Sequence, residues 1–179
     1  PLSLASPVCY RAAGQGWYCI TEITNPLDQA VESLSAWLGL LSGGETLASQ
    51  VVVPGLNILR SGERIPLLAY FPGPLEADVT PRVELLNSLL VSEEDPRYLN
   101  AQVSLEQVAI SSDGLQAQVA AEVSWNTDQP SPQTIWLVII AYDAADRPVG
   151  VRKLETQPAC VPEGAASCTS LDVEGIVYS

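Results

Sequence analysis

Leu115-Gln116-Ala117-Gln118-Val119-Ala120-Ala121-Glu122-Val123-Ser124-Trp125 decides the fold class. Leu115, Ala117, Val119, Ala121, Val123 and Trp125 fall on one side of a period-two pattern, and Gln116, Gln118, Glu122 and Ser124 fall on the other. A helix repeats every 3.6 residues, so this alternation describes a β-strand with one dry and one wet face. Thr134 to Tyr142 follows, apolar on both faces and rich in β-branched residues, as in a central strand covered from both sides. Asp143-Ala144-Ala145-Asp146-Arg147-Pro148 then turns the chain into a further strand, Val149 to Leu154.

The N-terminal half repeats this order. Trp17 to Thr24 is followed by Leu34 to Leu41, the turn Ser42-Gly43-Gly44-Glu45, and Thr46 to Val53. Glu22-Ile23-Thr24-Asn25 aligns with Glu122-Val123-Ser124-Trp125-Asn126 once one residue is inserted. Fourteen prolines and twelve glycines punctuate the apolar runs, a pattern of sandwiches more than of helical or βαβ proteins. The expected architecture is all-β, with two tandem β-sandwich domains over 1–95 and 96–179. The acidic stretch Ser92-Glu93-Glu94-Asp95-Pro96-Arg97 reads as the linker, kept extended by self-repulsion.

Thr80 to Val91 admits two readings. Thr80 as N-cap with Pro81 behind it and leucines at helical spacing describe a helix. Val83, Leu85, Leu89 and Val91 on one face describe the strand that closes the first sandwich, which is favoured because the next copy must begin at once with Leu99 to Ile110. That strand shifts its apolar phase between Leu105 and Val108, the mark of a bulge. The second copy has no counterpart of the closing strand before Ser179, so its sandwich is expected to be open at one edge, to be closed by residues beyond Ser179 of a longer native chain, which is favoured, or by a strand from a neighbouring molecule.

An aliphatic strand ending in Glu-Val or Glu-Ile, an Asn-containing turn and a long apolar strand ending in Ala-Tyr-Asp resemble the FxLYD-type bacterial surface domains. Ile139-Ile140-Ala141-Tyr142-Asp143 stands where that family has its naming motif, with Tyr142 and Asp143 matching, while Trp37-Leu38-Gly39-Leu40-Leu41 keeps neither. The resemblance implies two tandem immunoglobulin-like or fibronectin-like β-sandwich domains, of the extracytoplasmic kind found in lipoproteins and envelope proteins, usually without known catalysis.

Composition excludes several functions. Twenty-one Asp and Glu against eight Lys and Arg give a formal charge of −13, which repels phosphate backbones, so nucleic acid is not an expected partner. Histidine is absent and Lys153 is the sole lysine, which leaves general-base and nucleophile-activating chemistry almost without residues. There is no Gly-x-Ser-x-Gly elbow, and the carboxylates read as solvated strand and turn positions, Glu22 and Glu122 on outer faces. No catalytic residue is expected. No apolar run reaches the roughly 18 residues of a membrane span. The chain starts at Pro1 and contains no methionine, as a fragment or mature product would.

Cys9 with Cys19 and Cys160 with Cys168 form two close pairs, one in each half. Cys9 and Cys19 flank the turn Ala12-Ala13-Gly14-Gln15-Gly16, so antiparallel strands would bring them to bridging distance; Cys160 and Cys168 would staple Val161–Ser167. These local bridges are favoured among the three connectivities, and they point to an extracellular or envelope location. Neither pair has CxxC spacing and no histidine completes a zinc site. Glu93, Glu94 and Asp95, and Asp143 and Asp146, offer hard oxygen ligands for calcium, but neither group follows the Asp-x-Asp-x-Asp-Gly pattern, so no metal or cofactor is expected. Trp125 and Trp136 read as core. Trp37, sharing a face with Ser33, Ser35 and Gly39, and Tyr18, sharing one with Glu22, are candidate exposed aromatics for a sugar or a protein partner. The expected function is a non-catalytic structural or interaction module, with a strand-donating filament subunit and a carbohydrate- or ligand-binding module as alternatives.

Overall fold

The computed structural model describes residues 1–12, 16–74, 78–125, 132–157 and 170–178. Every regular element among them is a β-strand. The chain divides into two compact units, Pro1–Glu93 with Asp146–Pro148, and Glu94–Ala145 with Val149–Ser179.

In the first unit, β1 (Ser3–Leu4) and β2 (Val8–Arg11) pair one side of β3 (Trp17–Thr24), and β7 (Arg64–Phe71) pairs its other side, all antiparallel. The second sheet is built on β4 (Ala30–Ser42), with β5 (Glu45–Val52) and β6 (Ile58–Leu59) on one side and β8 (Thr80–Val91) on the other. Alternation aims Cys19 and Ile23 of β3, and Ile65, Leu67, Ala69 and Phe71 of β7, at Val31, Ala36, Leu38 and Leu40 of β4, forming one dry core. Gly43 and Gly44, both at positive φ, close the β4–β5 hairpin in the two-residue turn whose twist matches the strands.

Thr80 to Val91 is a strand. The competing helix loses because β4 presents an open row of backbone donors and acceptors, and β8 pairs along it from Thr80 to Val91. Positive φ at Ser33 marks the irregularity between Glu32 and Ser35, and the Asn87 amide donates to the Ser33 carbonyl across it at 3.0 Å.

One buried polar residue ties the first unit together. Asn25 is fully buried where β3 turns toward β4. Its Nδ2 donates to the carbonyls of Gln29 at 2.8 Å and Leu59 at 3.0 Å, and its Oδ1 accepts from the Leu27 amide at 3.1 Å. Its own amide donates to Glu63 and its carbonyl accepts from Gly62.

In the second unit, β10 (Gln116–Trp125) lies between β9 (Ala101–Ile110) and β13 (Ser170–Tyr178), and β11 (Ile135–Tyr142) pairs β12 (Pro148–Thr156). The expected bulge is present: Leu105 faces Ala121 and Gln107 faces Ala120, leaving Glu106 as the extra residue. The Ser111–Gln116 turn is closed around Asp113, which accepts from the Ser111 hydroxyl and the Leu115 amide. These bonds hold its carboxyl below the usual range, the hydroxyl contributing most.

The two units share one pairing scheme. A central strand is flanked by its predecessor and by a late strand (β2-β3-β7 and β9-β10-β13), and the intervening strand forms a hairpin with the next (β4-β5 and β11-β12). Among the described residues of the second unit β1 and β6 have no counterparts, and the second side of the hairpin strand differs as well. β4 carries β8 on its second side, whereas among the described residues β11 pairs β12 alone.

Candidate interaction surfaces

The three-stranded sheet of the second unit carries a surface whose chemistry follows from the register. β10 directs Ala117, Val119, Ala121, Val123 and Trp125 to one face, opposite Val177, Gly175, Val173 and Leu171 of β13 and opposite Ile110, Val108, Leu105, Val103 and Ala101 of β9. On the β10 and β13 side this face is covered. Val123, Trp125 and Ile135 form its small core, with Leu137, Leu171 and Val173 packed against them. Gly175 of β13 has no room for a side chain because Ile139 of β11 and Leu154 of β12 occupy it, so the hairpin lies over β13. β9 receives no such cover: Val103, Leu105, Val108 and Ile110 are 56, 66, 53 and 70% exposed.

The first unit shows what normally covers that position. There β5 lies along β7, where the Gln50 amide donates to the Tyr70 carbonyl at 2.6 Å, and β8 lies along β1 and seats Val83 against the core. The second edge of β8 pairs with nothing among the described residues, and its exposed leucines are divided between the faces, Leu85 and Leu90 opposite Ala36 and Val31 and Leu89 opposite Glu32.

Tyr18 stands 43% exposed on the outer face of β3. Tyr10, Tyr18 and Tyr70 form one cross-strand row, and the Tyr18 and Tyr70 rings pack at 4.7 Å between centroids, tilted by 37°. Trp37 is half-buried on the outer face of β4, and its indole lies flat over Gly39, two residues along the same strand. A Cβ at Gly39 would run into the ring, so one face of Trp37 is already occupied by its own backbone. Gly39→Ala is expected to lift the indole and increase acrylamide quenching of tryptophan fluorescence, with no such increase in a Trp37→Phe background; equal quenching before and after in the parent would contradict this packing.

Cys9 and Cys19 face each other directly across β2 and β3 and are bridged. Cys160 and Cys168 lie outside the described residues. Trp125 is buried, whereas Trp136 is half-buried with the Lys153 ammonium 3.9 Å from its ring, so the sole lysine is engaged in a cation–π contact.

The acidic residues depart from the sequence reading in two places. Glu22 sits on the outer face as expected but is buried, not solvated, and pairs with the Arg64 guanidinium at 3.6 Å. The linker is not simply stretched by repulsion. Glu93 accepts from the Arg60 guanidinium at 3.2 Å and from the Ser61 amide at 3.0 Å. Asp95 accepts from the side chain and amide of Arg97, and the guanidinium hydrogen bonds hold its carboxyl below the usual range. Both Asp95 and Asp113 therefore favour the folded state above ordinary carboxylate pKa values, a contribution lost as pH falls through their depressed values. Among the described residues no three His, Cys, Asp or Glu side chains converge on one point.

The second unit carries an open depression of about 590 Å³, lined from both faces of the sheet by residues that include Gln118, Val119, Glu174 and Gly175, and by Arg152 and Leu154 of β12. Sequence reading placed these strands but found neither this depression, nor Tyr70 beside Tyr18, nor the bareness of β9. No protein-family model matches the chain, and comparison with curated proteins and with solved structures likewise found no match. The FxLYD-type resemblance therefore stands on the residues alone.

Proposed function

We propose that this chain is a non-catalytic extracytoplasmic module, a tandem pair of immunoglobulin-like sandwiches that spaces and presents surfaces in a bacterial envelope or secreted protein. The observation that carries the location is the Cys9–Cys19 bridge, a bond that persists in oxidising compartments. Among the described residues no helix is long and apolar enough to cross a membrane. The non-catalytic reading is supported by the absence of histidine and by the structural engagement of Lys153, Glu22, Glu93 and Asp95. The net charge of −13 argues against nucleic acid as the partner.

Immunolabelling of intact and permeabilised host cells, with thiol alkylation and intact-mass measurement of the native protein, tests this reading. Surface or envelope label with Cys9 and Cys19 protected from alkylation is the expected result; a cytosolic, fully alkylated protein would overturn it. The filament-subunit reading is favoured by a separate observation, the exposure of the apolar residues Val103, Leu105, Val108 and Ile110 of β9.

A further inference from the structure

We propose that the depression on the second unit binds a neutral sugar, whose hydroxyls are held by Gln107, Gln118, Glu174 and Arg152 and whose apolar ring face lies against Tyr178 and Ile176. This goes beyond the spacing and presenting role and does not depend on it.

The register builds the site. On one side of the three-stranded sheet Ala109, Gln118 and Ile176 form a cross-strand row, and Gln107, Ala120 and Glu174 form the next. All six line the depression, as does Tyr178, two residues beyond Ile176 on the same side of β13. Small and long side chains alternate across the strands and along β9 and β10, so the alanines form a floor below polar tips. β12 supplies a further wall. A side chain at Gly175 would collide with Leu154, so this glycine lets β12 come close enough to bring Arg152, two residues before Leu154, into the lining.

The polar groups suit hydroxyls. A guanidinium only donates hydrogen bonds, a carboxylate only accepts them, and a glutamine amide does both. A hydroxyl also does both, and adjacent hydroxyls on a sugar ring can meet one planar side chain together. Among the described residues Gln107, Gln118, Glu174 and Arg152 make no hydrogen bond or ion pair. By contrast, Arg60, Arg64, Arg82 and Arg97 each pair with a carboxylate, and Arg11 and Lys153 each lie over a tryptophan ring. Tyr178 and Ile176 are both exposed and give the C–H side of the ring an apolar surface. The volume of about 590 Å³ lies within the roughly 300 to 1,000 Å³ of small-molecule sites.

Charge decides the kind of sugar. Glu174 stands in the depression, Glu122 and Asp172 face each other across β10 and β13 on the same side of the sheet, and the chain carries a net charge of −13. One guanidinium is outweighed by these carboxylates, so a uronate or a sugar phosphate is repelled and a neutral ring is not. Because the depression is open, an internal stretch of an oligosaccharide can lie across it as well as a chain end. The two aromatics expected from the sequence are occupied elsewhere, Trp37 by Gly39 and Tyr18 by Tyr70.

An array of neutral and uronate-bearing oligosaccharides, probed with the 179-residue chain coupled to beads for avidity, tests the assignment. Binding to one or more neutral glycans, with the uronate-bearing ones unbound, is the expected result. On a neutral glycan so found, Gln118→Ala and Arg152→Ala are each expected to weaken binding about tenfold, the loss of a hydrogen-bonding partner. Ala120→Gln fills the floor and is expected to abolish binding. Tyr178→Phe keeps the ring and is expected to bind as the parent does, whereas Tyr178→Ala is expected to lose binding. Gln102→Ala, on the same side of β9 but outside the depression, should leave binding unchanged. Circular dichroism and melting that match the parent confirm that each variant is folded. An array on which no neutral glycan is bound, a preference for uronate-bearing glycans, or Gln118→Ala and Arg152→Ala variants that bind as the parent does would overturn the inference. None of these outcomes depends on cellular location or assembly, so the extracytoplasmic and filament readings keep their own tests.

Discussion

Asn25→Ala is expected to destabilise the first unit by about 3 kcal/mol, the cost of leaving several buried groups without partners. The substitution removes two donors and one acceptor at once. The Leu59 carbonyl, inside the core, and the Gln29 carbonyl lose the Asn25 amide, while the Leu27 amide loses the Asn25 oxygen. Since Asn25 is fully buried, water does not replace these bonds unless the turn opens. For a unit of this size the loss corresponds to a fall in melting temperature on the order of 15 °C. Asn25→Asp sharpens the test, because it keeps an acceptor for Leu27 but turns a buried carboxylate toward two carbonyls, and is expected to be at least as damaging. Hydrogen exchange resolved along the chain is the better readout, as two units need not melt together. Protection should fall at residues 25–31 and 58–65 first. A variant that melts within a few degrees of the parent would show that the turn holds without its polar knot.

Asn25 also shows where the sequence was legible and where it was not. An asparagine after a strand announces a turn, and the turn is there. Its energetic weight comes from Leu59, 34 residues away, which no local pattern reveals. Strands with one dry face were readable because the pleat converts burial directly into alternation, as along Gln116–Trp125. The same logic located the bulge, since the apolar phase of β9 slips by one residue and Glu106 is the residue that absorbs it. β7 escaped because Ile65, Pro66, Leu67 and Leu68 are apolar in succession and carry no period.

The open side of the second unit was half legible. That β4 has strands on both sides while β11 pairs β12 alone among the described residues matches the strand count of each half. The bareness of Val103, Leu105, Val108 and Ile110 does not, because their alternation is the same whether or not another strand lies across them. Exposure of Trp37 was likewise undecidable from spacing: Gly39, read as a neighbour on the same face, is the seat on which the indole rests. In each case the local pattern states which way a side chain points, and tertiary cover decides what it meets.

Removing the bridge as Cys9→Ala/Cys19→Ala is expected to cost about 3 kcal/mol, with two physical contributions. The larger is chain entropy. With a separation of 10 residues, the bridge closes a short loop in the unfolded chain, and models of loop closure place its effect near 2 to 3 kcal/mol. The smaller is packing, since Cys19 is fully buried beside Ile23, Leu38 and Ala69, and alanine leaves a small void worth on the order of 1 kcal/mol or less. The structural consequence is local first. β2 is only four residues long and has β3 as its sole partner among the described residues, so the bridge is what prevents it from fraying off the sheet. Protection of the Val8–Arg11 amides should therefore collapse before the core of β3, β4 and β7 loosens. Reductant separates the bridge from mere substitution damage: it should bring the parent's first-unit melting down to nearly that of the double variant, whose own first-unit melting it should leave unchanged. If the oxidised parent and the double variant melt together, the bridge contributes nothing to stability, and the inference from cysteine spacing to a structural staple fails even though the bond itself is present.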